Sequence, residues 1–344
     1  MWRAAARQPV GTAPFRMPFT PRLALPPGLQ VPRRIDSSGR SGPTTAQARG
    51  PHWHRVGKNS YRPTTEDAPA EQRIFDAVGQ LPGGGAITGW ASLRVHGAAY
   101  FDGRSVGRDG TRVSRPVLLV AGRRSGHRSA DGVLFSYEPL PEDEVVLVHG
   151  LRVTTPLRAL FDELRARPDP RAALVAVEMA MAARVVRLEQ MKAYAEEHRQ
   201  WRRSLAAIAV LERARFGARS PKEVELRDLC ERSTDLPALG INMQLFDLRE
   251  NFLLEADLFG AERGLVIEYD GAEHGASGRR ARDAERAELC ARHGLGHTTI
   301  VGPDLARPAL VVDRVQAAWA RAVALPPEQR LWTTEWPPGW VPWW

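Results

Sequence analysis

Cysteine is almost missing from this chain: 344 residues include only Cys230 and Cys290, with no Cys-x-x-Cys pair. That excludes a disulfide framework and a structural zinc site of the usual spacing, and both thiols are expected to pack as small apolar residues. Long apolar runs are missing as well, because charge or proline interrupts each one short of the roughly 18 residues that a membrane-spanning helix needs. Met1 to Gly28 is basic, yet Pro9, Pro14, Arg16, Pro18, Pro21 and Arg22 break up any apolar segment, so it is not expected to act as a secretory leader. The expectation is a cytoplasmic protein that does not engage a membrane.

Acidic residues are scarce at one end only. Residues 1–62 hold a single acid, Asp36, against eleven Lys and Arg. This balance of +10 within a net charge of +8 leaves the rest of the chain at −2. A stretch rich in Pro, Gly and Arg cannot offset its ordering entropy by apolar burial, so residues 1–62 are expected to form a largely disordered basic arm. Such an arm neutralises phosphates without reading sequence, and His52-Trp53-His54-Arg55 to Tyr61-Arg62 adds aromatics that suit nucleic acid.

What the chain does have is core-forming material, 43% hydrophobic residues. At roughly 100 to 200 residues per domain, its length predicts two domains with extensions. Gln72, Ile74, Phe75, Ala77 and Val78 predict a short amphipathic helix that Gly79 to Gly85 ends, and Ile87 to Leu93 predicts a second helix. Val117–Ala121, Val133–Tyr137 and Glu144–Val148 are rich in branched residues and read as strands. Thr155 and Pro156 start a helix as cap and first-turn proline, and Arg171 to Arg213 is helical with breaks. Residues 63–215 are therefore expected to be a small α+β domain without a catalytic cluster.

The segment that follows, residues 216–325, carries the chemistry. Ser220-Pro221-Lys222-Glu223 caps and opens a helix. Two alternating strands follow, Ile241–Leu248 and Phe252–Phe259, then an apolar strand running through Leu265-Val266-Ile267 into Glu268-Tyr269-Asp270-Gly271. Arg279–Arg292 reads as a helix, His297–Val301 as a strand and Pro308–Val323 as a last helix, which gives the order αβββαβα.

If the second and third strands form a hairpin turning at about Gly260 to Arg263, facing positions sum to 525. Asp257 then lies opposite Glu268, Glu255 lies opposite Asp270, and all four carboxylates share one face. Leu254, Leu258, Leu265, Ile267 and Tyr269 fall on the other. Facing carboxylates repel, and a hard divalent cation such as Mg²⁺ or Mn²⁺ is the simplest compensation.

Two resemblances add to this reading. Ile87-Thr88-Gly89-Trp90-Ala91-Ser92-Leu93 with Gly97, the strand Pro116 to Ala121, and Val153-Thr154-Thr155-Pro156-Leu157-Arg158-Ala159-Leu160-Phe161-Asp162 resemble the middle part of AbiEi-like antitoxin and regulator proteins of actinobacteria. Those relatives usually begin with a winged helix-turn-helix, for which residues 1–60 carry too many prolines and glycines.

Ser220-x-x-Glu223-x-x-Leu226-Arg227, Asn242, Asp257, Glu268-Tyr269-Asp270-Gly271-x-x-His274, then Arg282-Asp283-x-x-Arg286 and Leu289 before Gly294 resemble the very-short-patch-repair-like endonuclease domain of the PD-(D/E)XK superfamily. This second likeness implies a restriction-endonuclease-like core with a mixed sheet that hydrolyses DNA phosphodiesters with Mg²⁺ or Mn²⁺. By that likeness Asp257, Glu268 and Asp270 would hold the metal. Glu223 would assist through water, although its place in a capping box explains it equally well. His274 would act as base or acid. Arg279, Arg280, Arg282 and Arg286 would hold DNA phosphates, or else pair with Asp283, Glu285 and Glu288 on a solvated helix. The superfamily motif has lysine two residues after the glutamate; here Asp270 stands there, so an arginine or His274 would have to supply the positive group.

DNA is thus the expected partner, and a toxin or defence component is a further partner left open. The competing function is a DNA-binding transcriptional regulator, or a type IV antitoxin-like protein, whose nuclease fold is non-catalytic. Residues 326–344 form a tail in which Trp332, Trp336, Trp340, Trp343 and Trp344 alternate with prolines. It is expected either to fold back over the preceding domain or to dock on a partner.

Overall fold

A computed structural model of the chain describes residues 28–65, 67–106, 111–122, 132–271 and 276–342, with side chains in the last stretch described from Ala284 onward. It is a mixed α/β protein with nine α-helices among the described residues. No helix there is long and apolar enough to cross a membrane.

Order begins before the helix at Ala70. Strands β1 (Arg33–Arg34), β2 (Trp53–Gly57) and β3 (Ser60–Pro63) form a three-stranded sheet in the order β1-β3-β2. Residues 28–62 are thus structured, against the expectation of a largely disordered arm. Polar ties to α1 (Ala70–Val78) replace the missing apolar burial. Arg62 Nε lies 2.6 Å from the Asp76 carboxylate, and Gln72 exchanges hydrogen bonds with both Gln30 backbone groups. Charge-assisted bonds of this kind are about twice as strong as neutral ones, enough to fix a short ribbon.

The middle unit is built on strands β4 (Ala86–Thr88), β7 (Val117–Val120), β8 (Val133–Ser136), β9 (Val145–Val148) and β10 (Leu151–Thr154), in the order β8-β7-β4-β10-β9. A separate ribbon, β5 (Arg104–Val106) with β6 (Arg112–Ser114), lies beside it in sequence. Helix α2 begins at Gly89 and ends at Val95, so Ile87 and Thr88 belong to a strand and not to the expected helix. α3 (Pro156–Ala166) starts at the expected threonine cap, where Thr155 Oγ1 accepts the Arg158 N–H. The long helical stretch divides into α4 (Pro170–Ala182), α5 (Leu188–Glu197) and α6 (Ser204–Leu211).

Between sheet and helices, Arg158 is wholly buried and bonds both Asp162 and Glu144, while Thr88 donates to Asp162 and Thr154 donates to Thr88. This network does what composition does not reveal: it ties β4, β10 and α3 together through charge.

The last unit opens with α7 (Pro221–Ser233), capped by Ser220 Oγ accepting the Glu223 N–H at 3.2 Å, a contact worth about 1 kcal/mol. β11 (Gly240–Asp247), β12 (Phe252–Gly260), β13 (Leu265–Asp270), α8 (Ala276–Arg292), β14 (Gly296–Val301) and α9 (Pro308–Ala324) follow in the expected order αβββαβα. With β15 (Trp332–Thr333) the sheet order is β14-β13-β12-β11-β15, with β13 and β14 parallel and the other pairs antiparallel, so α8 is the crossover between the parallel strands.

One face packs Leu258, Leu265, Ile267 and Ile300 against Leu226 of α7 and Val311, Val315 and Ala318 of α9. The opposite face packs Phe259 and Val266 with Cys290 and Leu295 on the α8 side. Burial pushes both cysteine thiols up to about 12.

The tail folds back. β15 (Trp332–Thr333) pairs with the edge strand β11, Trp332 lies edge-on to Phe259, and Trp340 stacks on Phe252. Gly264, at φ +75°, leaves room for the Trp332 ring, which a Cβ there would meet at 2.8 Å. α4 and α7 join the two larger units through Arg227, whose guanidinium is buried against the Glu178 carboxylate. The core of the middle unit continues without a break to Ala218 and Val224.

Candidate active site

The β12–β13 hairpin sets the site. Leu258 pairs with Ile267, Phe259 with Val266 and Gly260 with Leu265, which is the register in which facing positions sum to 525. Where the ladder would reach Asp257 and Glu268, the side chain replaces the backbone: Tyr269 donates its N–H to Asp257 Oδ2 at 2.8 Å. The strands part at that point, and a cleft of about 730 Å³ opens between Asp257, Glu268, Asp270 and the side chains of Glu285, Arg286, Leu289 and Arg292 on α8.

Glu268 is held from two sides. Arg286 Nε lies 2.7 Å from Oε1, and His297 Nε2 lies 3.2 Å from Oε2. His297 and Thr299 reach this face because β14 runs parallel to β13, with Val266 opposite His297 and Glu268 opposite Thr299. The expected strand at His297–Val301 carried that signal, but only its parallel placement beside β13 brings the residues to the carboxylate.

Asp257 is pushed up to about 6 by burial, with Glu223 and Glu268 adding to the rise, while the Tyr269 N–H and Arg286 oppose it.

Glu255 departs from the expectation of four carboxylates on one face. Leu254 and Ala256 pack with Phe259 and Val266 on the α8 side, so Glu255 turns the other way, to Arg219 and to Gln244 Nε2 at 3.3 Å. The partner strand is irregular at the same place. Ile241 pairs with Leu258 and Met243 with Ala256, but Asn242 between them sits in left-handed backbone at φ 47°. The pairing register is the same on both sides of Asn242, and the change of face falls beside it, between Ala256 and Asp257.

Asn242 fixes Glu223 as well, donating from Nδ2 to Gly217 O at 2.8 Å and to Glu223 Oε2 at 2.9 Å. Glu223 also accepts the Arg219 N–H at 2.9 Å. It therefore caps the segment before α7 and bears on Asp257 through its charge; it does not line the cleft.

Of the expected DNA-contacting arginines, Arg286 lies in the cleft, paired with Glu268, and not in a solvated helical ion pair. Arg279, Arg280 and Arg282 belong to α8, but their side chains, and His274 altogether, lie outside the described residues.

The donor set suits a hard cation. Asp257, Glu268 and Asp270 present carboxylate oxygens to one open cleft, and Asp257 is crowded by negative charge that a cation would relieve. Among the described residues no three His, Cys, Asp or Glu side chains stand close enough together to hold a metal ion as they are placed. Arg286 meanwhile provides the positive charge beside Glu268.

Comparison of the chain with protein-family models, with curated proteins and with solved structures gives no match.

Proposed function

We propose that the protein is a Mg²⁺- or Mn²⁺-dependent endonuclease that hydrolyses DNA phosphodiester bonds on a restriction-endonuclease-like core, in defence or repair. The observation that carries this reading is the cleft in which Asp257, Glu268 and Asp270 meet Arg286 and Arg292. Carboxylates of this kind hold a hard cation, and guanidiniums hold a phosphodiester. The resemblance of residues 220 to 294 to the very-short-patch-repair-like domains supports it, as does the element order αβββαβα.

Asp257, Glu268 and Asp270 would hold the ion, which supplies charge neutralisation at the scissile phosphate and a more acidic water. The chain's own residues do the rest. The Tyr269 N–H fixes the Asp257 rotamer. Arg286 and Arg292 would orient the phosphate oxygens and supply the positive charge that the superfamily's lysine gives. His297 fixes the second oxygen of Glu268.

A second reading rests on one specific observation: Glu268 is already ion-paired within the chain with Arg286, and its other oxygen is hydrogen-bonded to His297. That favours a DNA-binding regulator or antitoxin-like protein using the same fold as a platform without turnover. Supercoiled plasmid incubated with the purified chain separates the two. Nicking in Mg²⁺ or Mn²⁺ but not in chelator, lost in Asp257→Ala and Glu268→Ala, is the endonuclease result. Equal DNA binding by all three proteins without cleavage at any metal concentration is the regulator result.

A further inference from the structure

A second cleft, of about 440 Å³, lies between the middle unit and the first turn of α7. Pro221, Lys222 and Glu225 line it, whereas Glu223 of the same turn is bound to Asn242 on the way to Asp257. This cleft lies beside α7, whereas the carboxylate cleft opens on the α8 side of the sheet.

Its charge is unbalanced by one: Arg104, Arg112, Arg115, Arg167, Arg171 and Lys222 line it against Asp102, Asp169 and Glu225, with Asp67 and Glu163 paired behind them. Arg115 and Arg167 both bond one carboxylate, Glu163, which also accepts the Trp90 N–H at 3.1 Å. The three side chains are 17%, 10% and 1% exposed, so two guanidiniums share a single buried counter-charge and one positive charge is left in excess at the cleft. Nearer the solvent, Lys222 is paired with Glu225 at 2.7 Å, and Arg104 is paired with Asp67. Arg112 and Arg171 also line the cleft, are exposed, and form no side-chain ion pair among the described residues, although the Asp169 carboxylate accepts the Arg171 backbone N–H at 3.0 Å. Trp90 and Tyr100 add apolar wall. A partly buried excess of cation is costly unless an anion answers it, and the fork of a guanidinium matches phosphate oxygens in pairs.

We propose that this cleft binds the phosphate backbone of a nucleic-acid strand. The proposal rests on the nucleic-acid reading above for its direction. Its volume falls within the range of small-ligand sites, so a free nucleotide shares the chemistry and is separated by the test.

The test measures fluorescence anisotropy of a labelled single-stranded oligonucleotide with the full chain in chelator, so that cleavage is not read. Arg112→Glu combined with Arg171→Glu should weaken binding by about tenfold and lower the slope of log affinity against log salt by about 1 to 2, while Arg321→Glu on the exposed face of α9 leaves both unchanged. Both altered positions are exposed, circular dichroism checks the fold, and the Gln pair replaces the Glu pair if folding is lost.

Binding by the altered chain within about twofold of wild type overturns the proposal. Displacement of the oligonucleotide by millimolar deoxyadenosine monophosphate overturns strand binding in favour of a nucleotide site. The readouts also keep the two claims apart. Weakened binding without any plasmid cleavage supports the cleft and sinks the endonuclease; cleavage with unweakened binding does the reverse.

Discussion

The Tyr269 N–H donates to Asp257 Oδ2 across a hairpin whose backbone pairing stops one residue earlier, at Leu258 and Ile267. A carboxylate thus takes the place of a ladder carbonyl, and the strands open there into the cleft shared with Glu268 and Asp270.

This substitution makes stability depend on pH. Asp257 is raised to about 6 in the folded chain, chiefly by burial, against about 4 in the unfolded chain. A raised folded value means that the folded state binds the proton more tightly. The stability it confers is complete below about pH 4 and is lost as pH rises through about 6. Asp257→Asn, which still accepts the Tyr269 N–H, should therefore unfold like wild type at pH 4 and be more stable above pH 6, on the order of 1 to 2 kcal/mol. Urea unfolding of both proteins across that range measures it; an Asn variant less stable than wild type at pH 7 contradicts it.

Arg158 should behave differently. It is wholly buried with Asp162 and Glu144, so Arg158→Ala removes the cation they share, leaving Asp162 with Arg165 as its only cation and Glu144 with the Tyr194 hydroxyl, and should cost about 3 kcal/mol in urea unfolding. A loss below about 1 kcal/mol, the scale of an exposed pair, would show that the network is not sealed from water.

The tail protects an edge. β15 covers β11, and Trp340 stacks on Phe252 and donates from Nε1 to Gln244 at 2.8 Å. Removing the chain after Arg330 exposes the β11 edge and Phe246, and the shortened protein should self-associate in analytical ultracentrifugation at concentrations where the full chain does not. A shortened chain that sediments like the full one contradicts this role.

Much of the last unit was legible because its signals are local. Ser220 and Pro221 fix a helix start, alternation marks β11 and β12, and a tight turn at Gly260 to Gly264 fixes the β12–β13 register. The facing of Glu255 was not legible, because it goes with a left-handed backbone at Asn242 on a neighbouring strand. His297 was not legible either, since its place at Glu268 needs the parallel β13–β14 pairing across an entire helix. β4 and β10 are short strands that run directly into helices, and periodicity over three or four residues does not separate the two states. Order in residues 28–62 comes from particular bonds such as Arg62 with Asp76, which composition does not count.

The most direct measurement of the central claim is single-turnover cleavage of a duplex DNA in Mn²⁺ by wild type, Asp257→Asn and Glu268→Gln, with DNA affinity measured alongside. Loss of cleavage by at least about a thousandfold in each variant, at affinity unchanged within a few-fold, is the expected result. Cleavage persisting at the wild-type rate in either variant would place the chemistry elsewhere and contradict the account.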